Sequence, residues 1–229
     1  MQLKSKSMKI YSIHYNKPEY IELQKKSFDK WVKFDYEFIV VNNAIDISLI
    51  NLISTTSQDL GLRTINCNNN ISGMSSVSHQ NSFKYIIDDV EDGDDVMIVD
   101  HDLFVMNEVD ESYYNKHDMV IVPQLRGNIE YPWPGLIIFN KIKRKYEISF
   151  ESGLVENEPC DTGGKMYYYI KNNNFNIKKI KCTYDVTVNG GNELDSHDDI
   201  FIHLISGSGW NSNYDLESKL VSLKKILKI

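Results

Sequence analysis

The stretch Val96-Met97-Ile98-Val99-Asp100-His101-Asp102-Leu103-Phe104-Val105 constrains this chain more than any other. Four apolar residues in a row, two of them valine and one isoleucine, predict a fully buried strand. The strand runs straight into Asp100-His101-Asp102, and apolar residues resume at once. Carboxylates at i and i+2 at a strand end can converge on one hard cation, which takes oxygen ligands. A cation held by only two protein carboxylates keeps open positions, and those suit the phosphates of a nucleotide. A polar strand end with two solvated acids is the plainer reading of the same residues. The downstream half of the chain decides between the two.

Composition excludes several classes. The 229 residues suit one domain with a sizeable core. A net charge of -7 argues against general nucleic-acid binding, which needs a basic footprint. It leaves room for an anionic nucleotide if a cation sits between the acids and the phosphates. The three cysteines, Cys67, Cys160 and Cys182, are widely spaced and form no Cys-x-x-Cys. They indicate neither a zinc cluster nor a disulfide framework, so a reduced, cytoplasmic setting is expected. No run approaches the ~20 apolar residues of a membrane span, and the first residues lack the pattern of a signal peptide.

The segment before Asp100 alternates strand and helix signals. Met8 to His14 reads as a strand, Tyr15-Asn16-Lys17-Pro18 breaks it, and Tyr20, Leu23, Phe28 and Trp31 give a helical stripe to about Lys33. Tyr36 to Val41 is a second strand, Leu49 to Leu60 a helix, Leu62 to Cys67 a third strand, and Ser78 to Val90 a helix. This order predicts an α/β, Rossmann-type, mainly parallel sheet with helices on both faces. Ligands of such sheets bind outside the carboxyl ends of the strands. His14, Tyr15, Asn16, Asn42, Asn43, Asp100 and His101 share that edge and are the expected cofactor-binding residues. No glycine-rich phosphate loop comes after any of these strands, which argues against a dinucleotide fold and a P-loop enzyme.

After Asp102 the texture changes. Strands are expected over Asp118 to Pro123, Leu136 to Phe139, Asn176 to Tyr184 and Asp199 to Ile205, and a helix over Met166 to Ile170. Residues 8–105 form the expected nucleotide-binding half of a single domain and 106–211 the acceptor-side half. A C-terminal helix over about 213–228 carries Leu216, Leu220, Leu223 and Leu227 in a stripe, with lysines elsewhere. It either packs on its own domain or lies on an anionic membrane surface as a peripheral contact.

In order and spacing these residues resemble a nucleotide-sugar-dependent glycosyltransferase of the GT-A fold. The matching pieces run from about Met8 to Trp210. They are the first strand with Tyr15-Asn16-Lys17-Pro18, Val99-Asp100-His101-Asp102, Pro134-Gly135-Leu136-Ile137-Ile138-Phe139-Asn140, Asp161-Thr162-Gly163-Gly164, and Phe201-Ile202-His203 with Ser208-Gly209-Trp210. In that family the Asp-x-Asp holds Mn²⁺ or Mg²⁺ against the donor diphosphate. The spacing from His203 to Trp210 looks like that of the glycogenin-like transferases, where a late histidine completes the metal site. The usual Lys-Pro before the tryptophan is Ser208-Gly209 here, so that loop lacks its basic diphosphate ligand.

The resemblance implies metal ligands Asp100, Asp102 and His203, a UDP-sugar donor and a glycan or glycoconjugate acceptor. Two carboxylates and one imidazole are a mixed oxygen and nitrogen set compatible with Mn²⁺. Taken alone, a histidine on an apolar strand is more often a hydrogen-bonded core group. His101, between the two acids, should point to the opposite side of the strand and has a structural reading beside its cofactor-binding one. Asp161 is the best remaining carboxylate. It is either a helix N-cap or the catalytic group, as base toward the acceptor hydroxyl in an inverting reaction or as a sugar-hydroxyl ligand in a retaining one. Gly135, Gly163 and Gly164 permit close approach of a sugar, and Trp133 and Trp210 offer apolar faces to its ring. Core packing is the alternative for each tryptophan.

The function expected from all of this is a metal-dependent, hexosyltransferase-type glycosyltransferase. Two other classes stay open: a metal-dependent nucleotidyltransferase or phosphohydrolase, and a catalytically dead carbohydrate- or nucleotide-binding module.

Overall fold

A computed structural model describes residues 7–67, 75–188, 191–205 and 216–229. The first half follows the alternation that the sequence predicts. Strand β1 (Met8–His14), helix α1 (Glu19–Trp31), β2 (Tyr36–Asn42), α2 (Ile47–Asp59), β3 (Arg63–Asn66), α3 (Ser75–Asp89) and β4 (Val96–Asp100) come in that order. Asp46 caps α2, its carboxylate accepting from the backbone amides of Ser48 and Leu49.

Beyond Asp102 the chain is richer in strands than expected. It contains β5 (Leu103–Val105), β6 (Met119–Arg126), β7 (Ile129–Phe139), β8 (Gly153–Val155), β9 (Glu158–Cys160), α4 (Met166–Asn172), β10 (Ile177–Lys179), β11 (Cys182–Val188), β12 (Gly191–His197), β13 (Phe201–Leu204) and α5 (Leu216–Leu227). The strand expected over Asn176 to Tyr184 is two strands, β10 and β11, that belong to different sheets. The strand expected at Leu136 begins earlier, at Ile129, and carries Tyr131-Pro132-Trp133-Pro134-Gly135 along its length.

The main sheet has seven strands in the order β10-β6-β7-β4-β1-β2-β3. Strands β1, β2, β3 and β4 pair in parallel, as do β10 and β6, and β7 runs against both its neighbours. A side-chain period of two sends alternate residues to opposite faces, and both faces are apolar. Ile10, Met97, Val99, Val120, Leu136 and Ile138 meet α1 and α2 residues Ile21, Phe28 and Ile53 on one side. Tyr11, Val96, Ile98, Ile121, Ile137 and Phe139 meet Phe83 and Ile86 of α3 and Met166 and Tyr169 of α4 on the other. The mainly parallel sheet with helices over both faces is therefore the architecture observed.

A second, antiparallel sheet has the order β11-β12-β13-β5. It is joined to the first by the two residues His101 and Asp102, which turn the chain from β4 into β5. Helix α5 closes over this region, with Leu223 and Leu227 fully buried among Tyr20, Leu23, Phe104 and Ile202. Leu220, Leu223 and Leu227 pack inward on α1 and the second sheet, which takes their apolar face away from a membrane surface. Among the described residues no helix is long and apolar enough to cross a membrane.

Candidate active site at the junction of the two sheets

Strand order reverses between β1 and β4. From β1 the chain moves outward through β2 and β3, then returns to place β4 on the other side of β1. A crevice at the carboxyl ends of two such strands is where open α/β sheets bind ligands. The residues at that point are His14, Tyr15 and Asn16 after β1 and Asp100, His101 and Asp102 after β4.

The turn between the sheets is held from below by α1. Gln24, fully buried, donates its amide hydrogens to the carbonyls of Asp100 (2.8 Å) and Leu103 (2.7 Å). Its own carbonyl accepts from Ser12 Oγ (2.5 Å), which also meets Nε2 of the buried His14 at 2.9 Å. His101 turns away from the acids. Its Nδ1 lies 3.1 Å from the Ile13 carbonyl, and its ring stacks on Tyr20 with centroids 5.6 Å apart. Burial, reinforced by the charge of His101, pushes the His14 imidazole down to about 3, so it is neutral at physiological pH. Asn16 takes a left-handed backbone (φ 54°), a conformation asparagine tolerates, and its buried Oδ1 finds no hydrogen-bond partner among the described residues.

Asn42 and Asn43 close the next strand and are buried. The Asn42 amide donates to Ile50 O, Ser54 Oγ and Asn66 Oδ1, which ties β2 to α2 and β3. Asn43 Oδ1 accepts from Ser78 Oγ at 3.0 Å and so holds the start of α3 against the same edge.

The two acids have different partners. Asp100 Oδ1 lies 2.9 Å from His79 Nε2 on α3. Burial opposes charge on that imidazole, yet Asp100 outweighs it, with Asp102 and Asp161 adding, so its pKa is raised. The Asp161 charge therefore acts on the same histidine as the two acids of the turn. Asp102, almost fully buried, faces His203 Nε2 at 3.6 Å. Sheet register makes that pairing: His203 pairs with Leu103 on one side and with Asp195 on the other, and the Leu204 amide donates to the Asp102 carbonyl at 2.8 Å. Burial works against both charges, but the pair prevails; the Asp102 carboxyl is held below its usual range and the His203 imidazole is raised.

His203 has acid on both ring nitrogens, since Asp195 Oδ2 lies 3.5 Å from its Nδ1. One ligand atom each from Asp195, His197 and His203 lies within 4.8 Å of the others. His79, Asp195 and His197 are site residues that the sequence alone did not point to. Asp195-Ser196-His197 puts an acid and an imidazole on one strand face, and Asn189-Gly190 just before is a hairpin signal that could have revealed β12.

Trp133 covers this group. Its ring lies 4.8 Å from that of His203 and stacks on His197 at 5.5 Å. Gly135 makes this possible: a Cβ there would come within 2.2 Å of the indole. Asp161 is exposed and its Oδ1 accepts from its neighbour Thr162 N at 2.8 Å. It does not cap α4, which begins after Lys165 without a side-chain cap. Gly163 (φ 90°) donates its N–H to the Phe150 carbonyl, and a Cβ on it would meet the Pro132 carbonyl at 2.9 Å. A Cβ on Gly164 would meet that of Cys160 at 2.4 Å, so the glycine pair seats the turn under Asp161. Trp210, with Ser208 and Gly209, lies outside the described residues.

No protein-family model matches this chain, and no curated protein does. Among solved structures, the mannosyltransferase PcManGT from Pyrobaculum calidifontis, in complex with GDP-Man and Mn²⁺, aligns with a TM-score of 0.52 at 10% identity, over 75% of this chain and 54% of that one. The galactosyltransferase LgtC, in complex with donor and acceptor sugar analogs, aligns with a TM-score of 0.44 at 16% identity, over 64% of this chain and 62% of that one. TarS from S. aureus gives 0.44 at 16% identity, over 76% and 60%. The chain thus spans between half and two thirds of the length of these proteins. The likeness to the mannosyltransferase is one of fold, and that fold is of the GT-A type.

Proposed function

We propose that this chain is a metal-dependent glycosyltransferase that moves a sugar from a nucleoside-diphosphate sugar, a UDP-sugar first of all, to a hydroxyl of a glycan or other acceptor. The observation that carries the reading is the position of Asp100-His101-Asp102. The motif occupies the topological switch point of a GT-A-type sheet, with His203 brought beside it from the second sheet.

The residues fit a divalent cation. Asp100 and Asp102 offer oxygen and His203 nitrogen, a set suited to Mn²⁺. Asp195 faces the other nitrogen of His203 and is the kind of carboxylate that orients a ligand imidazole. When bound, the cation neutralises the leaving diphosphate as a Lewis acid. The chain's own groups do the rest. Asn16 stands at the β1 side of the crevice, where its unpartnered Oδ1 is an acceptor for a nucleotide N–H or hydroxyl, and His14 lies buried at the end of the same strand. Asn42 and Asn43 fix that edge through their bonds to α2 and α3. Gly135 seats the Trp133 indole beside the site as an apolar face for the sugar ring, and Gly163 and Gly164 seat the turn that carries Asp161. In the transfer an acceptor oxygen bonds to the anomeric carbon, and the bond to the diphosphate breaks with its electron pair. Asp161 takes the proton from the acceptor hydroxyl, using the oxygen that Thr162 N leaves free.

A thermal-shift panel of nucleotides with Mn²⁺ tests this. UDP should raise the melting temperature of the native chain and not of Asp100→Asn, since a ligand that binds only the folded state stabilises it. If neither UDP nor GDP stabilises the native chain with metal, the reading fails.

A further inference from the structure

The group Asp195, His197 and His203 is a different set from the acids of the β4–β5 turn, and it has its own chemistry. His197 is 3% exposed. Its Nδ1 lies 3.2 Å from Cys182 Sγ on the neighbouring strand, and its Nε2 finds no hydrogen-bond partner among the described residues. A buried ring nitrogen without a partner is costly. Asp195 Oδ1 and His203 Nδ1 are likewise buried and without a hydrogen bond, the latter with Asp195 only at 3.5 Å. Two buried polar atoms without a partner, His197 Nε2 and Asp195 Oδ1, in a trio whose third member, His203, has only the Asp195 carboxylate at 3.5 Å on its Nδ1, are the makings of a ligand set.

We propose that Asp195, His197 and His203 form a second cation site, for a borderline-soft divalent ion of the Zn²⁺ class, that fills in the absence of nucleotide. Two imidazoles and one carboxylate suit such an ion and leave a position for water. The surroundings supply the supporting partners that ligand histidines need. With its proton on Nδ1, 3.2 Å from the Cys182 sulfur, His197 turns the Nε2 lone pair to the ion. His203 Nε2–H points at Asp102, which leaves Nδ1 for the ion beside Asp195. Trp133, stacked on His197 and tilted against His203, keeps one side dry.

The site stands without the transfer reading; only one consequence rests on that reading. The donor's cation would use His203 through Nε2 and the second ion uses it through Nδ1. A neutral imidazole has one lone pair, so it serves one ion at a time. An ion at Asp195, His197 and His203 therefore withdraws His203 from Asp100 and Asp102.

Co²⁺, a visible stand-in for Zn²⁺, is titrated into the full chain without nucleotide, and its ligand-field spectrum is followed for the native chain, His197→Gln and Asp100→Asn. One equivalent should bind with a spectrum distinct from the aqueous ion. His197→Gln should weaken binding about tenfold or more, and Asp100→Asn should leave it unchanged while losing Mn²⁺-dependent UDP binding. Absence of a protein-bound spectrum in the native chain overturns the proposal, and so does loss in Asp100→Asn with retention in His197→Gln. X-ray absorption at the zinc edge of the native chain gives an answer that no variant's folding affects. Two imidazole ligands support the site, and one or none overturns it. Failure of UDP to bind with Mn²⁺ to the native chain counts against the transfer reading alone.

Discussion

Gly135→Ala probes the packing that holds His203. Residues 133 and 135 share a face of β7, so the indole of Trp133 folds back over the position where a side chain at 135 would stand. A methyl group there would come within 2.2 Å of Cζ2, 2.4 Å of Cη2 and 2.6 Å of Cε2, against about 3.5–4.0 Å for a carbon–carbon contact. The ring is rigid, so it must move by more than an ångström. Moving it breaks the stack on His197 and the contact with His203. Overpacking costs about 1–3 kcal/mol, and a lost aromatic pair costs about 0.5–1.5 kcal/mol more. The total, about 1.5–4.5 kcal/mol, corresponds to a fall in melting temperature of about 3–18 °C for a chain of this size. Calorimetry gives the stability change, and the near-UV circular dichroism of the tryptophans reports the ring's displacement. An unchanged melting temperature together with an unchanged near-UV spectrum would refute this packing role for Gly135.

Three further outcomes are expected from the same geometry. His203 and the buried His14 give stability opposite pH slopes. The His203 pKa is raised, to about 10, so its contribution is complete below about 6.5 and fades as pH climbs through 10; that of His14 is depressed to about 3, so stability is lost as pH falls from about 6.5 toward 3. Denaturant unfolding of the metal-free chain should therefore show a maximum near pH 6.5, and a flat profile from 6.5 to 10 would contradict the His203 pairing. Asp161→Asn keeps the bond from Thr162 N but removes the base, so transfer should fall by about 100-fold or more while UDP binding survives; near-normal turnover would remove Asp161 from the chemistry. Gln24→Leu strips the carbonyls of Asp100 and Leu103 of their donor, at about 1–3 kcal/mol per unsatisfied group; urea unfolding within about 0.5 kcal/mol of the native chain, the range of an ordinary surface substitution, would show that the turn does not need this brace.

The first half of the fold was legible because each element carries its own signal. Val96-Met97-Ile98-Val99 is buried on both faces and reads so, and the stripe of Tyr20, Leu23 and Phe28 packs inward from α1 as its spacing requires. The second sheet was not legible, for two physical reasons. Strand β5 is three residues long and owes its existence to a partner distant in sequence, Leu103 pairing with His203; β13 lies within the strand expected over Asp199 to Ile205, but its sheet partners do not show in that segment. The boundary between β10 and β11 depends on which sheet each strand joins, and local apolar pattern carries no such information. At the site, acids at a strand end could be seen from sequence. Of the partners that set their charge, His203 was visible and His79 was not: Ser78-His79-Gln80-Asn81-Ser82 reads as a solvated helix face, and Gln24 is a buried brace that looks like a surface residue of α1.

If the acids at the switch point serve transfer of a sugar from a nucleotide, hydrolysis of the donor reveals it most directly. The native chain is incubated with UDP- and GDP-sugars and Mn²⁺, without acceptor, and the products are resolved by chromatography. The same reactions are repeated with a chelator and with Asp100→Asn. Slow, metal-dependent release of the nucleoside diphosphate and free sugar is expected, abolished by the chelator and by the substitution. Release of nucleoside monophosphate and sugar phosphate would mean that the pyrophosphate bond is the one broken, and the assignment as a glycosyltransferase would be wrong.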